Sequence, residues 1–350
     1  MTINDLLIKA QERRASDLHI TVGIAPKCRI NGELMELEGY ESLTPQDTQD
    51  LIMPIIPQRL KEKLLTSGEV DFSYSIVGIG RYRVNAFRQR GSYALVIRII
   101  NTVIPSTQQL GLPVSVTELT NKKRGLVLVT GPTGSGKSTT LASLIDVINT
   151  TSNRHIITLE DPIEYIHKHK KSIVNQREIG IDTMTFSDAL RVVLREDPDV
   201  ILVGEMRDLE TIEIAITAAE TGHLVLSTLH TIGAASTVDR MIDVFPPHQQ
   251  QQIRVQLSAV LEAVISQQLI PTIDGRGRVA AFEIMHAIPA IRNLIREGKT
   301  HQLTSFIQTN RRLGMQTMDD AIYHLYLQGA ITPEQASAYA QDADAMERKI

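Results

Sequence analysis

The sequence predicts a two-domain α/β protein, in which a small α+β domain precedes a larger domain built on a mostly parallel sheet. Three observations lead to this prediction. The chain has 350 residues, which is long for one hydrophobic core and fits two. Its first hundred residues contain closely spaced strand patterns joined by glycine-containing turns, typical of an antiparallel sheet. After residue 113, short apolar runs alternate with helical patterns, which indicates parallel strands covered on both faces.

The composition is that of a globular protein, with 42% hydrophobic and 22% charged residues. The formal net charge of −4 argues against a broad nucleic-acid surface, so we expect no nucleic-acid partner. The amino terminus has no basic-then-apolar signal region, and no apolar run is long enough to span a bilayer, so we expect a cytoplasmic protein. The single cysteine, Cys28, excludes an internal disulfide framework and is interpreted as a small core residue of a strand.

The first domain, residues 1–100, is predicted from helical and alternating apolar patterns. Thr44 followed by Pro45 is typical of an N-cap and the first turn of a helix. Asn31 followed by Gly32 is a strong signal for a hairpin turn. The patterns predict helices over residues 2–14, 44–53 and 57–65, and strands over residues 16–20, 26–30, 33–37, 70–74, 80–84 and 93–98.

Residues 101–113 lose periodicity and contain two prolines and a glycine, so we interpret them as a linker between the domains. The second domain, residues 114–350, is expected to contain parallel strands over residues 126–130, 155–159, 200–203 and 224–227. Two late helices are predicted over residues 318–328 and 332–339. They precede an acidic and basic tail, residues 342–350, which we expect to be frayed.

A phosphate-binding loop is predicted at residues 131–139, between an apolar strand and a helical pattern. The residues fit the spacing of glycine, four residues, then Gly-Lys-Ser, and the flanking strand and helix disfavour a glycine-rich turn without function. Glycine lets the backbone direct its N–H groups at phosphate oxygens, beside the positive end of the helix. Lys137 is expected to reach the outer phosphates of the bound nucleotide, and Ser138 to give its hydroxyl to Mg²⁺. The predicted nucleotide contacts are Gly131, Thr133, Gly134, Ser135, Gly136, Lys137, Ser138 and Thr139.

Glu205 is the candidate catalytic carboxylate, because it stands where the predicted buried strand 200–203 ends. Hydrolysis of a phosphoanhydride needs a water held in line, and a carboxylate at the end of a neighbouring strand can orient that water. Gly204 occupies the position where such strands usually carry aspartate. Help in holding magnesium is expected from the acidic stretch 160–164, with Glu160 acting through water. Helix capping is the alternative for each of these acids.

His223 and His230 bracket the predicted strand 224–227. His230 follows a strand whose neighbours carry the phosphate loop and Glu205, so it is a candidate sensor of the terminal phosphate. A hydrogen-bonded structural histidine is the alternative interpretation. No cluster of histidine and cysteine has the spacing of a metal site, and Mg²⁺ prefers oxygen ligands.

Arginines are dense in the later strands of the first domain, at positions 81, 83, 88, 90 and 98. Solvated strand faces are the simplest explanation. The alternative is that some of these arginines reach a nucleotide held by a neighbouring copy, as arginine fingers that offset charge on the transferring phosphate. Alternation along a strand places Arg81 and Arg83 on one face, where they can act together.

The motifs occur in an order that resembles the secretion ATPases of the type II and type IV pilus superfamily. They are the phosphate loop at residues 131–139, an acidic box at 158–165, a strand end at 204–208 and a histidine box at 221–231. Residues 290–297 resemble the carboxy-terminal signature of one branch, the type IV pilus retraction ATPases. The resemblance covers nearly the whole chain, including residues 15–20 and 81–87. The phosphate loop alone is shared with many proteins, whereas the four boxes and the late motif together are specific.

The resemblance implies a RecA-like P-loop ATPase domain, a smaller PAS-like N-terminal domain, and a homohexamer with nucleotide between subunits. The implied activity is ATP hydrolysis coupled to mechanical work, in type IV pilus retraction and twitching motility. The implied partners are the pilus platform protein of the inner membrane and a paralogous retraction ATPase, at the inner face of the cell membrane. The family's site residues match Lys137, Ser138, Glu164, Glu205 and His230, and its arginine-bearing region matches Arg81, Arg83 and Arg98.

The late motif predicts an amphipathic helix over residues 290–297, which would bury its apolar residues and expose Arg292 and Arg296 on one side. An ordinary surface helix explains the same pattern. Only the family resemblance makes this helix a retraction element.

Three other functions are open from the sequence. A pilus extension or secretion ATPase is the first, although a single cysteine excludes the tetracysteine zinc insert that those relatives usually carry. A RecA-like nucleic-acid motor is the second, and the negative net charge argues against it. A nucleotide switch without steady turnover is the third, and multiple turnover in the absence of a partner would exclude it.

Overall fold

Two β-sheets organise the part of the chain that the structure describes. The structure is a computed structural model and describes residues 1–30, 32–76, 78–100 and 103–350. The chain forms two compact units, the first made of Met1–Val103 and Glu164–Ile166 and the second of Ile104–Ile163 and His167–Ile350. Asn31 of the predicted hairpin turn and the first two positions of the predicted linker, 101 and 102, lie outside the described residues.

The first unit contains an antiparallel sheet with helices packed on its apolar face. The helices are α1 (Ile3–Glu12), α2 (Pro45–Ile52) and α3 (Gln58–Ser67), and the strands are β1 (Asp17–Ile20), β2 (Lys27–Ile30), β3 (Glu33–Glu36), β4 (Glu69–Ile76), β5 (Gly80–Gln89) and β6 (Ser92–Ile99). The strand order is β3-β2-β1-β6-β5-β4, and each neighbouring pair is antiparallel. The predicted α+β organisation is confirmed.

Alternation along the strands builds the core of this unit. In β5 the side chains of Tyr82 and Val84 are buried, whereas Arg81 and Arg83 lie on the opposite face of the sheet. Cys28 is buried in β2, and this burial raises the pKa of its thiol. The interpretation of the cysteine as a small core residue is therefore confirmed.

The second unit is built on a mixed but mostly parallel sheet. Its strands are β7 (Gly125–Thr130), β8 (His155–Glu160), β9 (Ile173–Glu178), β10 (Val200–Val203), β11 (Leu224–Leu229), β12 (Leu261–Pro271) and β13 (Arg278–His286). Its helices are α4 (Val114–Thr117), α5 (Lys137–Thr151), α6 (Phe186–Val193), α7 (Leu209–Glu220), α8 (Ala234–Asp243), α9 (Pro247–Val260), α10 (Pro289–Arg296), α11 (Leu303–Thr309), α12 (Met318–Leu327), α13 (Pro333–Tyr339) and α14 (Ala343–Glu347). The strand order is β13-β12-β7-β11-β10-β8-β9, and only the β12–β13 pair is antiparallel among the described strands.

The structure confirms the four predicted parallel strands and adds β9, β12 and β13, which the sequence pattern does not reveal. Strand β9 lies at an edge of the sheet and carries polar and charged residues after Val174, so it has no apolar run. Strand β12 follows α9 directly, since Val260 ends the helix and Leu261 begins the strand. Without a turn between them, the apolar residues of the two elements form one continuous pattern.

Apolar side chains of the parallel strands alternate between two cores, one on each face of the sheet. In β7, Leu126 and Leu128 pack with the apolar residues of α6, α7, α8 and α9, while Val127 and Val129 pack with those of α5. Burial on both faces explains why these strands are continuous apolar runs in the sequence. The carboxyl ends of β7, β8, β10 and β11 meet at one edge of the sheet, where the candidate site forms.

Part of the predicted frayed tail forms helix α14 (Ala343–Glu347), so the prediction is wrong for this stretch. Asp342 caps the short helix α14 by accepting the N–H of Ala345. Met346 is 1% exposed and packs in a cluster with Ile322 and Ile331. One buried side chain in a charged stretch is too weak a pattern to detect without knowing its neighbours. Among the described residues, no helix combines the length and the apolar content that crossing a lipid bilayer requires.

Candidate active site

The predicted phosphate loop connects the end of β7 to the first turn of α5. Gly131 adopts a φ of +141°, and a Cβ atom at this position would lie 2.2 Å from the backbone oxygen of Gln267. Only glycine fits this position, because the loop passes so close to β12. Gly136 stands immediately before α5 with a φ of +89°, which lets the chain enter the helix directly from the loop. Ser138 and Thr139 lie in the first turn of α5 and Thr133 is exposed in the loop.

Lys137 is folded back over the loop that precedes it. Its Nζ donates hydrogen bonds to the carbonyl oxygens of Gly131 at 2.8 Å and Pro132 at 3.1 Å. The residue is only 8% exposed, so its ammonium group is held inside the loop and not directed into solvent. A phosphate oxygen carries negative charge and is a stronger acceptor than a carbonyl, so it can compete for this ammonium.

Gln267 of β12 forms hydrogen bonds to the phosphate loop and to α5, and it is a residue that the sequence analysis missed. Its Nε2 donates to the backbone oxygen of Ser135 at 2.5 Å, and its Oε1 accepts from the hydroxyl of Thr140 at 2.8 Å. Gln267 is 2% exposed, and both ends of its amide are used. The available signal was a polar side chain within an apolar stretch, since a buried amide must find hydrogen-bond partners.

Glu205 and His230 lie together at the ends of two adjacent parallel strands. The distance between Glu205 Oε2 and His230 Nε2 is 3.5 Å, and Glu205 Oε1 forms an ion pair with Arg207 Nε at 2.8 Å. Arg207 is a second residue that the sequence analysis missed, although it falls within the strand-end motif. The carboxylate is thus held between an imidazole and a guanidinium, with its side chain 22% exposed.

His230 also approaches the phosphate loop through its other ring nitrogen. Its Nδ1 lies 3.4 Å from Nζ of Lys137. A neutral imidazole protonated on Nε2 satisfies both neighbours, because Nδ1 can accept from the ammonium while Nε2 donates to Glu205. The structure therefore brings the predicted residues Lys137, Glu205 and His230 into one cluster.

Gly204 occupies the position after β10 because the end of β8 comes close to it. A Cβ atom on Gly204 would lie 3.1 Å from the backbone oxygen of Leu159 and 3.4 Å from Cα of Glu160. The carbonyl oxygen of Gly204 accepts a hydrogen bond from the hydroxyl of Thr228 at 2.6 Å. Tight packing where these two strands end therefore favours glycine at position 204, and the first carboxylate after β10 is at position 205.

The two predicted acids of the acidic box have different environments. Glu160 is partly buried at the end of β8, where its Oε1 accepts from Thr158 Oγ1 at 2.6 Å and from Gln176 Nε2 at 3.0 Å. Glu164 is exposed and groups with the first unit. The metal role of Glu160 and the catalytic role of Glu164 stay predictions.

The predicted arginines of the first unit form a short row across its sheet. Arg83 of β5 lies directly opposite Arg98 of β6, which in turn lies opposite Asp17 of β1. Nε of Arg98 is 3.1 Å from Oδ1 of Asp17. Arg83 is exposed and Arg81 is half-buried on the same strand. The Asp17 carboxylate thus pairs with Arg98, and Arg83 is the next residue of this row.

Helix α10 carries the late motif, and its arginines have unequal roles. Arg296 is exposed, as predicted, and Ile291 is among the buried apolar residues, as predicted. The predicted exposure of Arg292 is wrong. Its Nη1 donates to the carbonyl oxygens of Ser258 at 2.9 Å and Ala259 at 2.7 Å, and its Nη2 lies 2.9 Å from Glu262 Oε1. A guanidinium at the end of α9 satisfies carbonyls that have no partner within that helix.

Comparison with known proteins assigns the chain to a family. The family model described as "Type II/IV secretion system protein" matches residues 1–338. The chain is 49% identical over 341 residues to the "Type IV pilus retractation ATPase PilT" of Pseudomonas aeruginosa, which covers 97% of this chain and 98% of that protein. It is 49% identical over 321 residues to a "Twitching motility protein" of Neisseria gonorrhoeae, covering 92% of this chain and 86% of that protein.

A solved structure extends the similarity to three dimensions. The crystal structure described as the pilus retraction motor PilT with bound ADP superposes with a TM-score of 0.93 at 53% identity, covering 99% of each chain. The predicted fold, an α/β ATPase domain with a smaller amino-terminal domain, agrees with this superposition. The chain belongs to the type II/IV secretion system protein family.

Proposed function

We propose that this chain is an ATP-hydrolysing motor that powers type IV pilus retraction, and hence twitching motility. The observation that carries the proposal is the cluster of Lys137, His230 and Glu205 at the carboxyl ends of β7, β11 and β10, where Nδ1 of His230 lies 3.4 Å from Nζ of Lys137 and Nε2 lies 3.5 Å from Glu205. This cluster joins a phosphate-binding group to a carboxylate that can orient water. Two relatives that match nearly the whole chain are named for pilus retraction and twitching.

The residues of the loop fit a nucleoside triphosphate and its magnesium ion. The first N–H groups of α5 face the loop, where an anion is favoured, and Gly131 lets the loop lie against β12 without a steric clash. Lys137 would bind the outer phosphates and Ser138 would give its hydroxyl to Mg²⁺, with Glu160 acting through water. When bound, Mg²⁺ neutralises negative charge on the phosphate oxygens.

Glu205 orients the attacking water and accepts its proton. Its ion pair with Arg207 at 2.8 Å fixes the direction of Oε1, and Oε2 faces His230, whose other ring nitrogen lies next to Lys137. His230 reports the terminal phosphate, because a phosphate that attracts the Lys137 ammonium removes the partner of Nδ1. The loop after His230 can then respond to the presence or the loss of that phosphate.

The protein acts as a homohexamer with nucleotide between subunits. Arg83 and Arg98 lie directly opposite each other on neighbouring strands, and like charges in this relation repel. A phosphate of the nucleotide bound to a neighbouring copy would offset that repulsion. Arg81 and Glu164 are the other residues proposed for this site. The motor works at the inner face of the cell membrane on the pilus platform protein, and a paralogous retraction ATPase shares the task.

Deletion of the gene in the host bacterium tests retraction against extension. A retraction motor predicts cells with many surface pili and no twitching, whereas loss of all pili would assign the chain to pilus extension or secretion. Complementation with the parent gene restores twitching, and complementation with Glu205→Gln does not. Restoration by Glu205→Gln at equal protein level would contradict a motor driven by ATP hydrolysis.

A further inference from the structure

A buried carboxylate, Glu283, lies at a junction of three elements outside the nucleotide cluster. It belongs to β13 and is 4% exposed. Its Oε1 accepts the N–H of Ala234, the first residue of α8, at 2.6 Å, and its Oε2 accepts the N–H of Met318, the first residue of α12, at 3.4 Å. Each carboxylate oxygen therefore serves the start of a different helix.

Burial of the Glu283 carboxylate is unfavourable, and hydrogen bonds from its neighbours offset part of that cost. Burial raises the pKa of this carboxyl, and the nearby Asp319 acts in the same direction, while the N–H groups of Ala234 and Met318 and the side-chain amide of Gln341 oppose that shift. The positive ends of two helices favour a carboxylate at this place. A leucine would pack here without any such requirement, so the acid serves the connection between the helices.

One side of this junction leads to the nucleotide cluster. Helix α8 starts four positions after His230, and Gly233, the residue before it, provides no side-chain cap. The cap is supplied from the β12–β13 hairpin instead. Ser266 Oγ accepts the N–H of Gly233 at 3.0 Å, and Glu283, which pairs with Ser266 across the two strands, accepts the N–H of Ala234.

The other side of the junction leads to the carboxy-terminal helices. Glu283 caps α12, and its carboxylate is hydrogen-bonded by the side chain of Gln341. Asp319, the next residue of α12, accepts the N–H groups of Gln341 at 2.7 Å and Asp342 at 3.1 Å. The segment that leads into α14 is therefore tied to the same point as the His230 loop.

We infer that Glu283 is a positioning residue for ATP hydrolysis, which holds the first turn of α8, and with it the His230 loop, against the first turn of α12. This inference rests on the proposed function. Movement of His230 when the terminal phosphate is bound or lost is passed through Glu283 to helices α12, α13 and α14. The carboxy-terminal helices thereby sense the nucleotide state without contacting the nucleotide.

The substitution Glu283→Gln in the full-length protein tests this role. An amide has one acceptor oxygen, so it can cap one helix and must present its NH₂ group to the other N–H. We expect kcat for ATP hydrolysis to fall about tenfold with little change in KM, because a displaced His230 loop would weaken transition-state stabilisation and leave ATP binding intact. Gln341→Ala, at an exposed position, should lower kcat in the same direction. Gln328→Ala, at an exposed position at the end of α12, is the matched control and should leave kcat unchanged.

Hydrogen exchange provides a readout that does not depend on turnover. In the parent protein, a non-hydrolysable ATP analogue should change amide exchange in the first turns of both α8 and α12. In Glu283→Gln the change at α12 should be lost while that at α8 persists. The inference would be overturned if the analogue left amide exchange at α12 of the parent protein unchanged. It would also be overturned if Gln341→Ala and Glu283→Gln both kept the parental kcat. A parent that shows the exchange changes but releases no phosphate would instead overturn the proposed function.

Discussion

Glu205 and Lys137 contact opposite nitrogens of one imidazole, because Nε2 of His230 lies 3.5 Å from Glu205 Oε2 and Nδ1 lies 3.4 Å from Lys137 Nζ. The carboxylate proposed to orient water and the ammonium proposed to bind phosphate are thus joined by a single side chain. In the proposed mechanism, only His230 separates the phosphate-binding lysine from the catalytic acid.

Glu205→Gln should keep ATP binding and lose turnover. The amide retains the size of the side chain but cannot accept a proton from water, and loss of general-base catalysis lowers kcat by about 10²-fold or more. Phosphate release and binding of a fluorescent ATP analogue measure the two properties separately. Glu213→Gln, at an exposed position of α7, is the matched control. Parental turnover in Glu205→Gln would remove this residue from its role.

Gln267→Leu should weaken both nucleotide binding and the fold. Leucine is similar in volume but leaves the backbone oxygen of Ser135 and the hydroxyl of Thr140 without the amide that now bonds both. Unsatisfied buried groups cost about 1–3 kcal/mol, so denaturant unfolding should show a loss of this size, with a higher KM for ATP. Gln268→Leu changes the neighbouring residue on the other side of β12. Equal effects of the two substitutions would argue against a specific role for Gln267.

Arg292→Ala and Arg296→Ala should show which arginine of the late motif stabilises the fold. Arg292 bonds two carbonyls at the end of α9 and Glu262, so its loss should lower the free energy of unfolding by about 2 kcal/mol. Arg296 is exposed, and its replacement should change stability by less than about 0.5 kcal/mol. Denaturant unfolding of the purified variants measures both. A stable Arg292→Ala protein that fails to restore twitching would instead give Arg292 a direct role in retraction.

Mixed assemblies can test whether arginines act on a neighbouring copy. Lys137→Ala should bind nucleotide poorly but still present Arg83, whereas Arg83→Ala should bind nucleotide but present no guanidinium there. Each variant alone should have low ATPase activity, and co-assembly should restore part of it. Arg88→Ala, at an exposed position of the same strand, should keep parental activity. A mixture that stays as inactive as its components would place Arg83 outside the neighbouring site.

Acid should destabilise the second unit through His167. Burial lowers the pKa of this imidazole to about 4 from an ordinary value of 6.5, so the unfolded chain binds a proton that the folded protein does not accept between these two values. Stability is therefore fully present above pH 6.5 and falls as the pH decreases toward 4, by at most about 1.4 kcal/mol per pH unit.

Denaturant unfolding across this pH range measures the effect. His167→Phe removes the titrating group from its buried site and should flatten the pH dependence. His248→Gln, at an exposed position, is the control and should retain the parental slope. A slope that is the same in His167→Phe and in the parent would assign the acid sensitivity to other groups.

The sequence by itself determined the features that are written in contiguous residues. The phosphate loop is one, because its glycines, Lys137 and Ser138 lie within nine positions between a strand and a helix, and their spacing alone specifies the turn. Glu205 at the end of an apolar run is another. The antiparallel first sheet and the parallel second sheet follow from the period of apolar residues, which reports the faces that each strand buries.

Only the tertiary structure decided which distant residues meet. Gln267 supports Ser135 across 132 positions of sequence, and His230 approaches Lys137 across 93. Arg292, predicted to be exposed, bonds carbonyl oxygens at the end of α9. Met346, which lies in a charged stretch of the sequence, is buried in a core cluster. A local pattern reports the face on which a side chain lies, but the strand or helix end that meets this face is set by hydrogen bonding and packing across the whole unit. Contacts that depend on the pairing of β12 with β7 and β13 therefore exist only once the sheet is assembled.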